Sequence, residues 1–194
     1  MAATWELNQE KQHIIMRILS DNSLAVIIDV QERLFPHMHE RESLEKNLNK
    51  LLSGLIILDL PVIFTEQYSK GLGLTIPSLT AFIRPSAIEK NSFSCCDNPA
   101  FMQSLENSGK KNVLIAGIES HVCVLQTVID LTEKGFRPVV IEDCVTSRNP
   151  NDRIISIQRM HQEGAIISTL ESILFELLRT SGTARFKEIS KLVK

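Results

Sequence analysis

Several features that the sequence lacks restrict what the protein can do. It has no uninterrupted apolar stretch near the ~20 residues that a membrane span requires. Its net charge of −2 gives no excess of basic residues for binding a nucleic acid or an anionic membrane. The N-terminal segment has Glu6, Glu10 and Lys11 where a signal peptide would have apolar residues. We therefore expect a cytoplasmic protein with no nucleic-acid partner and no membrane association.

Sequence patterns that bind common cofactors are also missing. The four cysteines, Cys95, Cys96, Cys123 and Cys144, do not have the spacing of a zinc site. No glycine-rich phosphate-binding loop follows the first predicted strand, where residues 31–35 read Gln-Glu-Arg-Leu-Phe. An even number of cysteines would allow two disulfides, but reduced thiols are the rule in a cytosolic chain. We expect neither a metal nor another cofactor.

The composition is typical of an ordered globular protein. Hydrophobic residues make up 43% of the chain and charged residues 23%, which are ordinary values for a folded domain. A chain of 194 residues can bury a sizeable core without disulfides or metal. The sequence contains no internal repeat, low-complexity segment or linker, so residues 1–194 are expected to form one domain.

Short apolar segments alternate with amphipathic segments along the chain. Residues 24–30 (LAVIIDV) are rich in β-branched side chains, which is typical of a strand buried on both faces. Residues 44–56 place leucines at helical spacing, with Ser43 as the expected N-cap. The other predicted strands are 61–65, 86–89, 112–117, 138–141 and 165–168. A short helix is predicted to begin at Asn98-Pro99, and another covers 120–134 and ends before Gly135. A further helix is capped by Asn151 or Asp152 and runs to about 162. The last two predicted helices cover 171–179 and 183–193.

This alternation of strands and helices predicts the fold class. Consecutive βαβ units place their strands in parallel, with the helices on the faces of the sheet. We therefore predict an α/β fold with three layers, α/β/α, around a six-stranded parallel sheet with the Rossmann-like strand order 3-2-1-4-5-6. Ligand sites in such sheets lie beyond the carboxyl ends of the strands, where the strand order reverses.

Three reactive residues follow predicted strands. Asp29 lies near the end of the first strand, Lys90 after the third, and Cys123 in the first turn of the helix after the fourth. Taken singly, each has an ordinary explanation, because most such residues are a turn cap, a solvated surface lysine or a small buried side chain. A helix N-terminus favours a thiolate, however, and a neighbouring ammonium would lower the pKa of Cys123 further. Together the three residues predict an activated cysteine nucleophile.

Longer segments around these residues resemble the isochorismatase-like cysteine hydrolase family. The most specific segment is 117–127, GIESHVCVLQT, and the segments 29–31 (DVQ) and 89–94 (EKNSFS) keep the family's order of Asp, Lys and Cys. Residues 143–148 and 164–172 also match, so that the resemblance covers about 22–180. The loop 65–73 and the C-terminal segment 185–193 are similar to isochorismatase domain-containing proteins, whose substrates are mostly unassigned.

The resemblance implies a catalytic mechanism. Cys123 is expected to be the nucleophile, Asp29 the general base and acid, and Lys90 the third member of the triad. These residues would cleave a small amide or another C–N bond through a thioester acyl-enzyme. Backbone N–H groups of Glu119 and Cys123 would stabilise the oxyanion, with a cis peptide bond between Ile118 and Glu119.

Loops after the first two strands are expected to shape the substrate pocket. Its candidate walls are Gln31, Phe35, Gln67 and Tyr68. The nicotinamidases of this superfamily bind a metal through histidines after the second strand, but residues 65–71 contain none. The resemblance therefore implies no catalytic metal and no nicotinamidase activity. We expect His37-x-His39 to be part of a polar loop, and the family motif assigns no catalytic role to His121.

Two other functions are compatible with the same residues. One is a non-catalytic oligomeric protein that keeps the hydrolase fold as an interaction platform, which the intact set of Asp29, Lys90 and Cys123 disfavours. The other is a thiol redox protein in which Cys95, Cys96 or Cys144 approaches Cys123. Relatives in the subgroup form oligomers, so a homo-oligomer, at least a dimer, is expected to act on a small-molecule substrate. The motifs do not identify that substrate.

Overall fold

The computed structural model describes residues 17–194, in which six parallel strands form one sheet between two layers of helices. The strand order is β3-β2-β1-β4-β5-β6, and every neighbouring pair is parallel. The predicted fold class and strand order are therefore confirmed. The prediction that rests on Glu6, Glu10 and Lys11 concerns residues outside the described range. Within 17–194, no helix combines the length and the apolar character needed to cross a membrane.

The strands and helices have the following bounds. The strands are β1 (Ser23–Ile28), β2 (Val62–Gln67), β3 (Ile88–Lys90), β4 (Asn112–Ile118), β5 (Arg137–Thr146) and β6 (Ile166–Ser168). The α-helices are α1 (Arg41–Ile57), α2 (Ser69–Leu72), α3 (Pro99–Asn107), α4 (Leu125–Glu133), α5 (Pro150–Gln162), α6 (Leu170–Leu178) and α7 (Ala184–Val193). A π-helical turn, Ser120–Val124, leads directly into α4.

Each face of the sheet has its own apolar core. Successive side chains of a strand point to opposite faces, so that in β1 Ala25 and Ile27 join one core and Val26 joins the other. Helices α1, α6 and α7 cover the first core, and α3, α4 and α5 cover the second. All six residues of β1 and all seven of β4 are buried. These two strands form the centre of the sheet and hold the loops that follow them in place.

Two predicted helix caps are wrong, and two are confirmed. Helix α1 begins at Arg41 rather than after Ser43, and α5 is capped by Asn149, whose side chain accepts the N–H of Asn151. Pro150 at the first position of α5 accounts for the earlier start, because its fixed φ suits that position. The Asn98 side chain accepts from two backbone N–H groups at the start of α3. Gly135 follows the end of α4 with a φ of 76°.

Strands β3 and β5 differ in length from the predictions. Strand β5 continues to Thr146 through Glu142 and Asp143, which interrupt the apolar pattern on which the prediction depended. A register shift in its pairing with β4 accommodates this polar section, and Asp143 there accepts the backbone N–H of Leu170. Strand β3 ends at Lys90, so this lysine lies within the strand rather than after it.

Candidate active site

The predicted triad lies at the carboxyl end of the sheet, where the strand order reverses between β1 and β4. Asp29 directly follows β1. Cys123 belongs to the π-helical turn that follows β4. Lys90 ends β3, two strands away from β1, and its side chain reaches across the end of β2 to Asp29. Three separate segments of the chain thus contribute side chains to one place.

Asp29 and Lys90 form a fully buried ion pair. Nζ of Lys90 donates to Oδ2 of Asp29 over 2.6 Å, and neither side chain is exposed. Oδ1 of the same carboxylate accepts the hydroxyl of Thr65 over 2.7 Å. Asp29 has a φ of 53°, in the left-handed region that non-glycine residues rarely adopt. Such backbone conformations persist where surrounding contacts hold the residue, as the contacts to Lys90 and Thr65 do here.

Gln67 connects Lys90 with Cys123. Its Oε1 accepts a hydrogen bond of 2.9 Å from Nζ of Lys90 and lies 3.9 Å from Sγ of Cys123. Its Nε2 donates to the carbonyl of Asn91 over 2.7 Å, which holds the amide in this orientation. Nζ of Lys90 also lies within hydrogen-bond distance of the carbonyls of Ser92 and Phe93. The ammonium therefore has acceptors for all of its protons and is fixed in position.

Burial and the neighbouring carboxylate keep the Cys123 thiol protonated. Burial raises the pKa of Cys123 well above its ordinary value, and the negative charge of Asp29 raises it further, although Lys90 acts in the opposite direction. The expectation of a lowered pKa is therefore wrong, because Asp29 and desolvation outweigh Lys90 and the helix terminus. Burial alone would lower the pKa of Lys90, but the charge of Asp29 and its hydrogen bond raise the net value.

The backbone before Cys123 has two special positions. The peptide bond between Ile118 and Glu119 is cis, at the position that the resemblance indicates. Gly117 has a φ of 124°, and a Cβ built on it would lie 2.1 Å from the carbonyl oxygen of Ile28. Only glycine allows β4 to approach β1 this closely. Glu119 is mostly buried, and its carboxylate accepts from both the backbone N–H and the side chain of Arg148.

Two buried residues around the predicted triad, Thr65 and Thr127, were missed by the sequence analysis, and Cys95 lies beside both of them. Thr65 holds Asp29, as described above, and the thiol of Cys95 lies 3.8 Å from the hydroxyl of Thr65. Thr127 donates its hydroxyl to the carbonyl of Cys123 over 2.7 Å and accepts the N–H of Cys95 over 3.0 Å. Thr127 lies four residues after Cys123, a spacing that could have indicated this contact. No local pattern indicates the contacts of Thr65 and Cys95.

The proposed pocket walls have different environments. Gln31 is fully buried, and its side-chain amide bonds to backbone groups of Gln67 and Gly73. It therefore joins the loops after β1 and β2 rather than facing solvent. Phe35 is partly buried against the core, whereas Tyr68 is 50% exposed. Gln67 is the member of this group that contacts the triad.

His121 and the remaining cysteines differ in their positions relative to the site. Nδ1 of His121 lies 2.9 Å from the hydroxyl of Ser147, and its Nε2 lies 3.9 Å from Asp152. Cys144 belongs to the core on the opposite face of the sheet from Cys123. Burial raises the pKa of Cys95 to about 11 and that of Cys96 to about 12. All four cysteines have free thiols.

In residues 17–194, no group of three or more His, Cys, Asp or Glu side chains is arranged to hold a metal.

Comparisons with known proteins identify relatives along nearly the whole chain. The isochorismatase domain pattern matches residues 23–172. Isochorismatase domain-containing protein 2A of Mus musculus is 36% identical over 180 residues, which cover 92% of this chain and 85% of that protein. Isochorismatase family protein 1B of Dictyostelium discoideum is also 36% identical, over 92% of this chain and 89% of that protein.

Two solved structures have closely similar folds. The MAR1 ribonuclease of Caenorhabditis elegans superimposes with a TM-score of 0.85 and 37% identity, covering 91% of this chain and 92% of that one. YcaC of Escherichia coli, an octameric hydrolase of unknown specificity, superimposes with a TM-score of 0.86 and 25% identity. The superposition covers 91% of this chain and 90% of the E. coli chain.

Proposed function

Because the chain belongs to the isochorismatase family, whose fold supports a hydrolase role, we propose that it is a cysteine hydrolase of a small amide or another C–N bond. The observation that carries this proposal is the buried cluster at the carboxyl end of the sheet. Asp29, Lys90 and Cys123 come from three strand ends, and Gln67 contacts both Lys90 and Cys123. A paired carboxylate and ammonium, with a thiol connected to them through Gln67, can generate a nucleophile and return a proton.

Acylation begins with a neutral thiol. Asp29 takes the proton of Cys123 as Sγ attacks the substrate carbonyl carbon, so that the S–C bond forms and the carbonyl π electron pair moves onto oxygen. The C–N bond breaks when this tetrahedral intermediate collapses. Asp29 then gives this proton to the leaving amine. The raised pKa of Cys123 supports a proton transfer that accompanies attack rather than a thiolate that exists beforehand. Lys90, with all of its protons engaged, acts on Asp29 through its charge rather than by donating a proton to substrate.

Backbone N–H groups stabilise the tetrahedral intermediate in this proposal. The N–H groups of Glu119 and Cys123 lie at the start of the π-helical turn, where unpaired donors and the helix dipole favour negative charge. The hydrogen bonds from Arg148 to the Glu119 carboxylate support the position of this residue. Water activated by Asp29 then attacks the thioester, the acid product leaves, and the thiol recovers its proton.

The substrate would bind beside Gln67. We propose that Gln67, Tyr68 and Phe35 line its pocket and that Gln31 supports the two loops that carry them. Tyr68 offers an exposed aromatic ring at the rim of the site. No metal or other cofactor takes part in the proposed chemistry.

Intact-mass spectrometry of the acyl-enzyme tests the proposal. The wild-type protein is incubated with a panel of small primary and secondary amides and with the activated ester p-nitrophenyl acetate. An adduct equal to the acyl group is expected on the wild type and on Cys144→Ala, a variant that lacks a buried thiol of the other core. It is absent from Cys123→Ala. Hydrolysis that persists unchanged in Cys123→Ala would refute the cysteine mechanism.

A second candidate is phosphodiester hydrolysis, which the name of the C. elegans structure suggests for that protein. The net charge of −2 gives no general attraction for an RNA backbone. The same wild-type and Cys123→Ala samples, incubated with single-stranded RNA, distinguish the two functions. RNA cleavage without any acyl adduct would favour the second.

We also propose a homo-oligomer, in the cytoplasm, as the working form of this domain. The octameric E. coli structure supports this assembly, and Ile154 and Ile155 on α5 present adjacent apolar side chains that are more than half exposed. Light scattering of the purified protein measures its mass directly. If the oligomer forms but no acyl-enzyme can be trapped, the alternative of a non-catalytic interaction protein is favoured.

A further inference from the structure

The turn that contains Cys95 and Cys96 makes polar contacts with Thr127, near the beginning of α4. The Thr127 hydroxyl accepts the N–H of Cys95, and the Thr127 carbonyl lies 4.0 Å from Sγ of Cys96. The hydroxyl of Ser94 caps the turn by accepting the N–H of Cys96. Thr127, Cys95 and Ser94 are all buried. This polar contact lies inside an otherwise apolar core, which shields it from water.

The same hydroxyl of Thr127 determines where the carbonyl of Cys123 lies. It donates to that oxygen over 2.7 Å, one turn before its own position. The π-helical turn is wider than an α-helix, and Val124 and Leu125 donate back to Glu119 and Ser120. A side-chain donor on the following helix therefore supplements the backbone bonds that define the position of Cys123.

These contacts complete a ring around the reacting groups. On one side, Gln67 joins Cys123 to Lys90 and so to Asp29. On the other side, Thr127 joins Cys123 to Cys95, whose thiol lies 3.8 Å from Thr65, and Thr65 donates to Asp29. The side through Gln67 contains the three residues of the proposed mechanism. The side through Thr127, Cys95 and Thr65 has no part in the proposed proton transfers.

We propose that Thr127 is a positioning residue of the hydrolase, which acts through the backbone of Cys123 and through Cys95. It holds Sγ at the distance from Asp29 that proton transfer requires and aims the N–H of Cys123 at the oxyanion. Cys95 serves as the buried anchor for Thr127 and not as a second nucleophile. This inference rests on the proposed function, because it concerns the same nucleophile.

Two reagents separate positioning from simple thiol reactivity. Acylation by p-nitrophenyl acetate forms an S–C bond, breaks a C–O bond and releases p-nitrophenolate, and it needs the oxyanion donors. Alkylation by iodoacetamide displaces iodide from carbon and needs no oxyanion donor. We expect Thr127→Val to lose at least tenfold in the acylation rate, since misplacements on the order of 1 Å cost up to about a hundredfold. Its alkylation rate stays within about threefold of wild type, because the thiol itself is unchanged.

Two further variants are matched controls for Thr127→Val. Thr127→Ser keeps the hydroxyl and should acylate within about threefold of wild type. Thr132 makes the same hydroxyl-to-carbonyl bond one turn later in the sequence, 2.9 Å to Val128, and is not in the ring. Thr132→Val should leave both rates unchanged. Urea unfolding of all three variants checks that each protein is fully folded under the assay conditions.

The possible outcomes are distinct. A Thr127→Val protein that acylates like wild type, or that loses alkylation and acylation in parallel, overturns the positioning role. A rise of tenfold or more in its alkylation rate also overturns it, because that indicates a generally loosened site. A wild-type protein that iodoacetamide alkylates but that no ester acylates overturns the proposed function, and this inference with it.

Discussion

Nζ of Lys90 and Oδ2 of Asp29 lie 2.6 Å apart at the carboxyl end of the sheet, with both side chains completely buried. A buried charge pair of this kind is held by two strand ends that are not neighbours in the sheet. Removing either charge leaves the other without compensation in a medium that solvates it poorly. The pair therefore affects folding as well as the proposed chemistry.

The first prediction concerns the stability of this ion pair. We expect Lys90→Met to lower the free energy of unfolding by about 3–5 kcal/mol, because it strands the Asp29 carboxylate. Arg185→Met breaks an ion pair with Asp59 whose side chains are both largely exposed, and it should cost about 1 kcal/mol or less. Urea unfolding followed by circular dichroism measures both. Equal stability losses in the two variants would contradict the burial argument.

The second prediction concerns the charges that control the Cys123 thiol. Burial raises its pKa, Asp29 raises it further, and Lys90 lowers it. Asp29→Asn should therefore speed alkylation of Cys123 by iodoacetamide at pH 8, whereas Lys90→Gln should slow it. Both variants should lose about a hundredfold or more in amide hydrolysis, because the first removes the base and the second removes the charge that acts on the base. Peptide mapping after timed alkylation gives the rates, and a change in the same direction in both variants would refute the assignment of the two charges.

The third prediction concerns stability at alkaline pH. Burial is the first cause of the raised pKa of each of the four thiols. A raised folded-state pKa gives stability that is complete below the unfolded-state pKa of ~8.5 and is lost as the pH rises towards the folded-state value. For Cys95 that value is about 11. Between pH 9 and 10 the unfolding free energy should fall by roughly 1 kcal/mol per pH unit for each thiol.

The Cys144→Ala variant tests this linkage. Whatever stability the variant loses at pH 7, its unfolding free energy should fall with rising pH about a quarter less steeply than that of wild type. The reason is that one of four buried thiols is gone. Urea unfolding at half-unit steps from pH 7.5 to 10 provides the slope. A slope that is the same in both proteins would show that the Cys144 thiol does not contribute to the loss.

The fourth prediction concerns the close approach of β4 to β1. Gly117→Ala would place a Cβ 2.1 Å from the carbonyl oxygen of Ile28, so the strands must separate next to Asp29 and Glu119. We expect a loss of more than about 4 kcal/mol, or no folded protein. Gly109→Ala also has a positive φ, 65°, but no atom lies within 4 Å of its Cβ. It should cost about 1–2 kcal/mol of backbone strain alone.

Thermal unfolding of the two glycine variants decides this prediction. Both glycines have a positive φ, 65° at Gly109 and 124° at Gly117, but a Cβ meets neighbouring atoms only at Gly117. Similar melting temperatures for the two variants would mean that β1 and β4 tolerate separation at this point.

Much of the fold could be predicted from the sequence because its signals are local. The alternation of fully apolar segments with amphipathic ones indicated the parallel sheet, and Asn98 and Gly135 marked helix ends through their own side-chain and backbone preferences. Strand β5 and the start of α1 were misjudged, since a register shift and an uncapped left-handed Glu40 have no local pattern. The three reactive residues could be named by order and spacing.

The sequence by itself determined the fold class and the identity of Asp29, Lys90 and Cys123 as residues at strand ends. Only the tertiary structure decided how they interact. The pKa of Cys123 is raised rather than lowered because burial and the distance to a carboxylate depend on which strands are adjacent. Thr65, Cys95 and Thr127 take their places around the site for the same reason. Their contacts join segments about 30 residues apart, and Coulomb and desolvation energies depend on distances in space rather than along the chain.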